Sequence, residues 1–225
     1  MPALGRALLA EAIGVFCLVF CGCGAIMVDA KTGGPGSIGI ALAFGLAIMA
    51  MIYAVGHVSG AHLNPAVSLA FGLSRHFPMR RVVAYWGAQC AGAIAAAALL
   101  RSSLGDIADV GATVPSGSDG QSFLWEVALT FFLMFVIMAV ATDTRAFGEA
   151  AAIAIGGTVA LGSLAGGPVS GASMNPARSL APAVVSGHLG QLWVYLCAPP
   201  AGAALAVAAC RCSRGSACCA SREGE

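Results

Sequence analysis

Charge is the scarcest property of this 225-residue sequence, of which only 9% is charged. Soluble globular domains carry about 25% charged residues, so a soluble fold is a poor fit. The net charge of +1 provides no basic surface for nucleic acid. The sequence also lacks a phosphate-binding glycine loop, a zinc-type Cys and His spacing, and a set of nucleophile, base and orienting residue. We therefore expect no nucleic-acid partner, no cofactor, no metal site and no enzyme activity.

Apolar and small residues dominate instead, with 59% hydrophobic residues and 30 glycines. Small residues let helices approach closely in lipid, where no hydrophobic effect drives their association. The first apolar run, at about 4–28, is longer than the core of a signal peptide and contains Glu11. We expect a polytopic membrane protein whose first run is a retained span.

The nine cysteines do not have the pattern of a disulfide framework. Five lie in apolar runs and are predicted to be small buried side chains: Cys17, Cys21, Cys23, Cys90 and Cys197. Four cluster near the end of the chain: Cys210, Cys212, Cys218 and Cys219. We expect free thiols there, with metal or metalloid binding as the alternative.

A membrane-spanning helix needs about 20 mostly apolar residues. Six segments meet this requirement: about 4–28, 37–57, 81–101, 122–142, 149–167 and 189–210. Two shorter apolar stretches, 65–74 and 176–185, each follow directly on an Asn-Pro-Ala triplet. Because they are too short to span, they are predicted to be re-entrant half-helices buried in protein. The predicted fold class is an all-α membrane protein with six transmembrane helices and two half-helices.

An internal repeat organises the chain. Ser59–Ser68 (SGAHLNPAVS) matches Ser170–Ser179 (SGASMNPARS) at seven of ten positions, 111 residues further on. Each copy contains three spans, an odd number, so the second copy must enter the membrane inverted relative to the first. The two half-helices are then expected to meet near the midplane.

These boundaries predict a single channel domain over residues 1–210. Repeat one covers about 4–101, an extracellular connection about 102–120, and repeat two about 121–210. Residues 211–225 are predicted to form a cytoplasmic tail. Most of the arginines then lie on the side of the termini, as the positive-inside rule requires of the cytoplasmic side: Arg6, Arg75, Arg80, Arg81, Arg145, Arg211, Arg214 and Arg222.

The Asn-Pro-Ala triplet is a helix-start signal, because Asn is a favoured N-cap and Pro a favoured first helical residue. The two copies are Asn64-Pro65-Ala66 and Asn175-Pro176-Ala177. Each helix start carries roughly half a positive charge, so two starts that face each other repel cations and protons. Each Asn amide is predicted to donate to water or a hydroxylated solute in the lumen. Unwound backbone at Val58–His62 and Val169–Ser173 is predicted to provide carbonyl acceptors along the path.

The paired triplets and the layout of six spans and two half-helices resemble the aquaporin or major intrinsic protein family, over about Leu4 to Cys210. Gly56–His62 (GHVSGAH), ahead of the first triplet, is part of this resemblance. Ala141–Ala146 (ATDTRA) and Gly167–Arg178 (GPVSGASMNPAR) look most like the nodulin-like intrinsic proteins and their bacterial relatives. The resemblance implies a homotetramer with one pore in each subunit.

The resemblance also implies a selectivity filter at four positions, which correspond here to Phe44, Ser163, Ala172 and Arg178. Water-selective members place His at the position of Ser163, and glycerol channels tend to have a second aromatic at that of Ala172. With one large apolar side chain, the opening is expected to be wider and more polar than a water-only filter. Glycerol, urea and neutral hydroxides of boron or arsenic are the solutes expected beside water. A one-residue shift on the fifth span would present Gly162 or Leu164 instead.

Two kinds of ionisable residue lie within the apolar segments. Arg178 stands where the first repeat has Val67. This difference favours a role in the pore over that of an arginine whose side chain extends to the membrane–water interface. Glu11 and Glu126 occupy matching positions early in the first and fourth spans. By resemblance they accept hydrogen bonds from the backbone ahead of the half-helices; a proton relay is the alternative.

The function predicted from the sequence is a passive channel for water and small uncharged solutes that excludes ions and protons. Its partners are the lipid bilayer and the permeating solutes, and its place is the inner or plasma membrane with both termini cytoplasmic. A water-selective aquaporin is the first alternative. An ion-coupled secondary transporter is the second, because inverted repeats with broken helices are equally typical of transporters. A structural membrane protein that conducts little is the third.

Overall fold

A computed structural model describes residues 3–142 and 150–214, and these residues form eight α-helices and no strand. Six helices are long and apolar enough to cross a membrane: α1 (Ala3–Thr32), α2 (Gly36–Ser59), α4 (Met79–Leu104), α5 (Asp119–Thr142), α6 (Ala151–Ser170) and α8 (Leu192–Arg214). Two are short: α3 (Pro65–Leu73) and α7 (Pro176–Ser186). The predicted fold class is confirmed.

The helices differ from the prediction mainly at their ends. The unwound segments are shorter than predicted, because α2 continues through Val58 and Ser59 and α6 through Val169 and Ser170. Between α2 and α3 only residues 60–64 are non-helical, and between α6 and α7 only residues 171–175. In each case a glycine in the left-handed conformation, Gly60 or Gly171, ends the helix.

Several predictions fall on residues 143–149 and 215–225, which lie outside the described residues. These include Arg145, the end of the Ala141–Ala146 motif and most of the predicted tail. Of the cysteine cluster, Cys212 is a free thiol, whereas Cys210 is in a disulfide, contrary to the expectation of free thiols there. Cys218 and Cys219 lie outside the described part of the chain.

The two repeats pack as inverted copies around a common centre. In repeat one α1 packs against α2 and α4, and in repeat two α5 packs against α6 and α8. The repeats meet where α2 crosses α6. Each half-helix also packs against a helix of the other repeat, α3 against α8 and α7 against α4. With six spanning helices, the start of α1 and the end of α8 lie on one side, here called the terminal face, and α4 and α7 end at the opposite face.

The crossing of α2 and α6 depends on two glycines that touch through their backbones. A Cβ atom on Gly156 would lie 2.6 Å from the carbonyl oxygen of Gly45, and a Cβ on Gly45 would lie 2.6 Å from that of Gly156. Real Cβ atoms do not approach so closely, so any larger residue forces the helices apart. The width of the space between the two repeats therefore depends on this contact.

Substitution of Gly156 by Ala is expected to destabilise the bundle by about 1–3 kcal/mol, because α2 and α6 must separate. Gly157→Ala is the matched control, since a Cβ there meets no atom within 4 Å. Its effect should be neutral or slightly stabilising, because Ala favours the helix by roughly 0.5–1 kcal/mol. Thermal unfolding of the purified protein in detergent measures both variants. Equal melting temperatures for the two would contradict this account of the crossing.

Candidate functional site

The two Asn-Pro-Ala triplets begin the half-helices as capped starts. Asn64 is in extended backbone, and its Oδ1 accepts a hydrogen bond from the amide of Ala66 at 2.9 Å. Asn175 is also extended, and its Oδ1 accepts from the amide of Ala177 at 3.0 Å and from that of Arg178 at 3.3 Å. Each proline occupies the first turn, where no amide proton is required.

The same two asparagines connect the half-helices to each other. Asn64 Nδ2 donates to the carbonyl oxygen of Met174 at 2.7 Å, and Asn175 Nδ2 donates to that of Leu63 at 2.8 Å. The sequence predicted that both amides donate into the lumen and gave no sign of this reciprocal pair. Since an amide nitrogen carries two hydrogens, one remains on each residue, and both residues line the central cavity.

The chain ahead of each triplet is held in an unusual backbone conformation. Ala61 and Leu63 have φ of 46° and 51°, and Ala172 and Met174 have φ of 43° and 52°. The left-handed conformation costs a residue other than glycine about 1–2 kcal/mol, and it persists only where the surrounding structure fixes it. The alternation exposes carbonyl oxygens. Within the described residues, no hydrogen bond is made to the carbonyls of 60–62 or 171–173.

A buried glutamate fixes the first of these segments. Glu11 Oε1 accepts from the amide of His62 at 2.9 Å and from Ser59 Oγ at 2.7 Å, and its Oε2 accepts from the amide of Leu63 at 2.7 Å. Gln89 Nε2 adds a further bond to Oε2 at 2.8 Å. The carboxylate thus satisfies amides that water cannot reach and leaves the neighbouring carbonyls to the pore side.

Repeat two has the same arrangement. Glu126 Oε1 accepts from the amide of Ser173 and from Ser170 Oγ, and its Oε2 accepts from the amide of Met174, all at 2.8 Å. In both copies a tyrosine donates a hydrogen bond to the last residue of the spanning helix that precedes the unwound segment. Tyr85 donates to the carbonyl of Ser59 in α2 at 2.8 Å, and Tyr195 to that of Ser170 in α6 at 2.7 Å. This geometry suits the supporting role expected for Glu11 and Glu126.

A cavity of about 120 Å³ runs beside the two triplets. One water needs roughly 10–15 Å³ by such a measure, so a file of waters or a small solute fits. Its lining includes residues of the unwound segments and the two asparagines. It also includes aliphatic and aromatic side chains: Leu18, Phe44, Ile48, Leu133, Ile137 and Val159. The cavity therefore combines hydrogen-bonding groups with apolar groups.

The four predicted filter residues line this one cavity. The guanidinium carbon of Arg178 lies 4.9 Å from the centre of the Phe44 ring. Ser163 is buried on α6, and Ala172 has a left-handed backbone. In the part of the chain that the structure describes, Ser163 Oγ and Arg178 Nε have no hydrogen-bond partner. The predicted register on the fifth span is the one in which Ser163, and not Gly162 or Leu164, lines the cavity.

The connection between the repeats positions Arg178, which sequence reasoning did not predict. Arg178 Nη1 donates to the carbonyl of Gly111 at 2.9 Å. That carbonyl follows a left-handed turn in which Ala108, Asp109 and Val110 all have φ near 50°. The sequence marks this turn only weakly, through Gly111 and Asp109, because Ala and Val rarely adopt such a conformation.

The chain is similar over most of its length to proteins of a known family. The family model described as Major intrinsic protein matches residues 2–209. Aquaporin NIP1-4 of Oryza sativa subsp. japonica is 56% identical over 198 residues, which cover 88% of this chain and 72% of that protein. Nodulin-26 of Glycine max is 49% identical over 198 residues, with 87% and 73% covered. The structure of the aquaglyceroporin from Plasmodium falciparum matches with a TM-score of 0.79 and 27% identity, over 91% of this chain and 94% of that chain.

Replacement of Glu126 by Gln is expected to lower the free energy of unfolding by about 1–3 kcal/mol, because an amide group faces buried N–H donors and leaves one unpaired. The control is Asp119→Asn on the same helix, where the half-buried carboxylate accepts a single bond from Trp193 at 3.1 Å. Thermal unfolding in detergent compares the two. If Glu126→Gln were as stable as the control, the carboxylate would not hold the unwound segment.

Proposed function

This chain belongs to the major intrinsic protein family, whose members are membrane channels and not enzymes, and from that premise we propose that it passively conducts water and small uncharged hydroxylated solutes. The resemblance to this family and to its nodulin-like members is confirmed by the relatives at 49–56% identity. The six apolar helices make it an integral membrane protein. The choice of solute and the residues that select it are the proposal.

The observation that carries the proposal is that Phe44, Ser163 and Arg178 line the same cavity as the two asparagines, with the guanidinium carbon of Arg178 4.9 Å from the centre of the Phe44 ring. A solute with hydroxyl or amide groups can exchange hydrogen bonds with the polar groups of this cavity. Its carbon skeleton packs against Phe44. Glycerol, urea and neutral boric or arsenous acid all have this mixed chemistry.

The size of the opening favours these solutes over water alone. Neither Ser163 nor Ala172 has a bulky side chain, so Phe44 is the one large apolar group among the four proposed filter residues. A water-selective pore, the first alternative, would need a larger side chain, such as His, at position 163. The matching structure from Plasmodium falciparum is described as that of an aquaglyceroporin, which agrees with a filter that admits polyols.

Exclusion of ions is proposed to come from the two helix starts. Asn64 and Asn175 bring two positive helix ends together, and Arg178 adds a full charge in a buried position. A cation that enters loses its hydration and meets positive potential from three sources. A neutral solute is unaffected by that potential and exchanges its water for the free carbonyls of 60–62 and 171–173.

We further propose a homotetramer in the inner or plasma membrane, with one pore in each subunit and both termini cytoplasmic. The arginines near the terminal face support this orientation, among them Arg75 between α3 and α4 and Arg80 and Arg81 in the first turn of α4. The channel domain is proposed to cover residues 1–210, and 211–225 to form the tail. Helix α8 itself continues to Arg214.

Larger side chains in the filter should narrow the range of solutes. Ser163→His and the double variant Ser163→His/Ala172→Phe are expected to reduce glycerol and urea permeability by about tenfold or more, since steric selection in a pocket commonly gives 10–200-fold discrimination. Water permeability should fall much less. Stopped-flow light scattering on proteoliposomes measures all three. The control is Leu161→Phe, at an exposed position of the same helix. Unchanged glycerol and urea permeability in both variants would show that these residues do not form the filter.

A channel and an ion-coupled transporter differ in how the flux responds to concentration and gradients. We expect the glycerol flux to rise linearly with concentration and to ignore imposed sodium or proton gradients, because a channel offers the solute a path that needs no ion-coupled conformational cycle. Radiolabelled glycerol uptake into proteoliposomes measures this. Saturation together with acceleration by either gradient would favour the transporter.

A further inference from the structure

Each half-helix ends against an arginine from the other repeat. Arg101, in the last turn of α4, donates through Nη1 to the carbonyl oxygen of Val185 in the last turn of α7. Arg211, near the end of α8, donates through Nη2 to the carbonyl oxygen of Leu73, the last residue of α3, at 2.8 Å. Both arginines are exposed at the ends of spanning helices.

The two contacts are related by the internal repeat. Arg101 and Arg211 are 110 residues apart, the spacing that also separates Tyr85 from Tyr195. Both tyrosines bind the carbonyl at the end of the preceding helix in their own repeat. Unlike the tyrosines, the arginines reach across to the other repeat. This follows from the packing of α7 against α4 and of α3 against α8.

The C-terminal carbonyls of a helix lack partners within the helix, and together they carry roughly half a negative charge. A guanidinium at this position satisfies one carbonyl and offsets the charge. The half-helices have only nine and eleven residues and are too short to be stable alone. Their inner ends are fixed by the asparagine pair, and the arginine contacts fix their outer ends.

We propose that Arg101 and Arg211 are positioning residues of the pore, each of which anchors the outer end of the half-helix that belongs to the other repeat. The proposal rests on the pore function stated above. An arginine at the end of a spanning helix is usually explained as an anchor to lipid phosphate. The contact with a half-helix in both repeats favours the positioning role instead. A lipid anchor would not need a backbone carbonyl of a half-helix in both copies.

The two arginines should have different effects, because only one of the half-helices carries a filter side chain. Arg178 lies in the first turn of α7, whose outer end Arg101 holds. Loss of Arg101 should therefore move Arg178 and alter selectivity. Helix α3 has Val67 at the corresponding place, so loss of Arg211 should slow all solutes alike.

The test compares Arg101→Gln, Arg211→Gln and Arg80→Gln in proteoliposomes by stopped-flow permeability to water and glycerol. Arg80 is the control because it is exposed at the start of α4 and has no described contact with a half-helix. Arg101→Gln should change the ratio of glycerol to water permeability at least about threefold, since misplacement of a positioned group by ~1 Å costs up to about 100-fold. Arg211→Gln should lower both permeabilities with an unchanged ratio. Arg80→Gln should match the wild type, and Arg101→Lys and Arg211→Lys should each retain most of the wild-type behaviour.

Several outcomes would overturn the proposal. Equal effects of all three Gln variants would indicate a general loss of interfacial charge, and wild-type behaviour of Arg101→Gln and Arg211→Gln would show that the contacts position nothing. Wild-type vesicles no more permeable than empty ones would instead overturn the channel function itself. Should Arg101→Gln not fold, Asp106→Asn removes the carboxylate that lies 3.0 Å from Arg101. That variant should also change the ratio of glycerol to water permeability, and an unchanged ratio would contradict the proposal.

Discussion

The structure depends on how backbone amides are satisfied in a place that water cannot reach freely. Two chain segments leave the helical conformation inside an apolar bundle, and an unpaired N–H there costs several kcal/mol. Glu11 and Glu126 each provide one carboxylate to one of these segments. Each carboxylate accepts hydrogen bonds from two backbone amides and one serine hydroxyl. Once the amides are bound on one side, the carbonyls are free on the other. The pore wall is thus a consequence of the buried glutamates.

The inverted repeat applies each local solution twice. The capped helix start, the glutamate, the tyrosine and the terminal arginine all recur, and the asparagine pair joins the two copies at their centre. The copies differ where selection is proposed to occur. Arg178 replaces the apolar Val67, and a left-handed turn in the connection presents the Gly111 carbonyl that orients it. A symmetric frame therefore holds one asymmetric charged side chain.

Much of this arrangement could be predicted from sequence, because it rests on local signals. Length and hydropathy identify the spans, the triplets identify the half-helix starts, and the matched spacing of Glu11 and Glu126 points to a shared role. Sequence could not place contacts that depend on the approach of distant segments. Examples are the amide of Asn64 at the carbonyl of Met174, the guanidinium of Arg178 at Gly111 and the contact of Gly45 with Gly156. Each involves a backbone atom, which every residue has, so no residue type identifies it.

Two helix starts that meet inside the bundle are proposed to form a path that conducts neutral solutes and rejects charge. Proton and potassium flux under an applied membrane potential tests this, in the same proteoliposomes in which glycerol entry is recorded. We expect rapid glycerol entry with ion flux no greater than in protein-free vesicles. Ion flux that rises together with glycerol entry as more protein is reconstituted would contradict it.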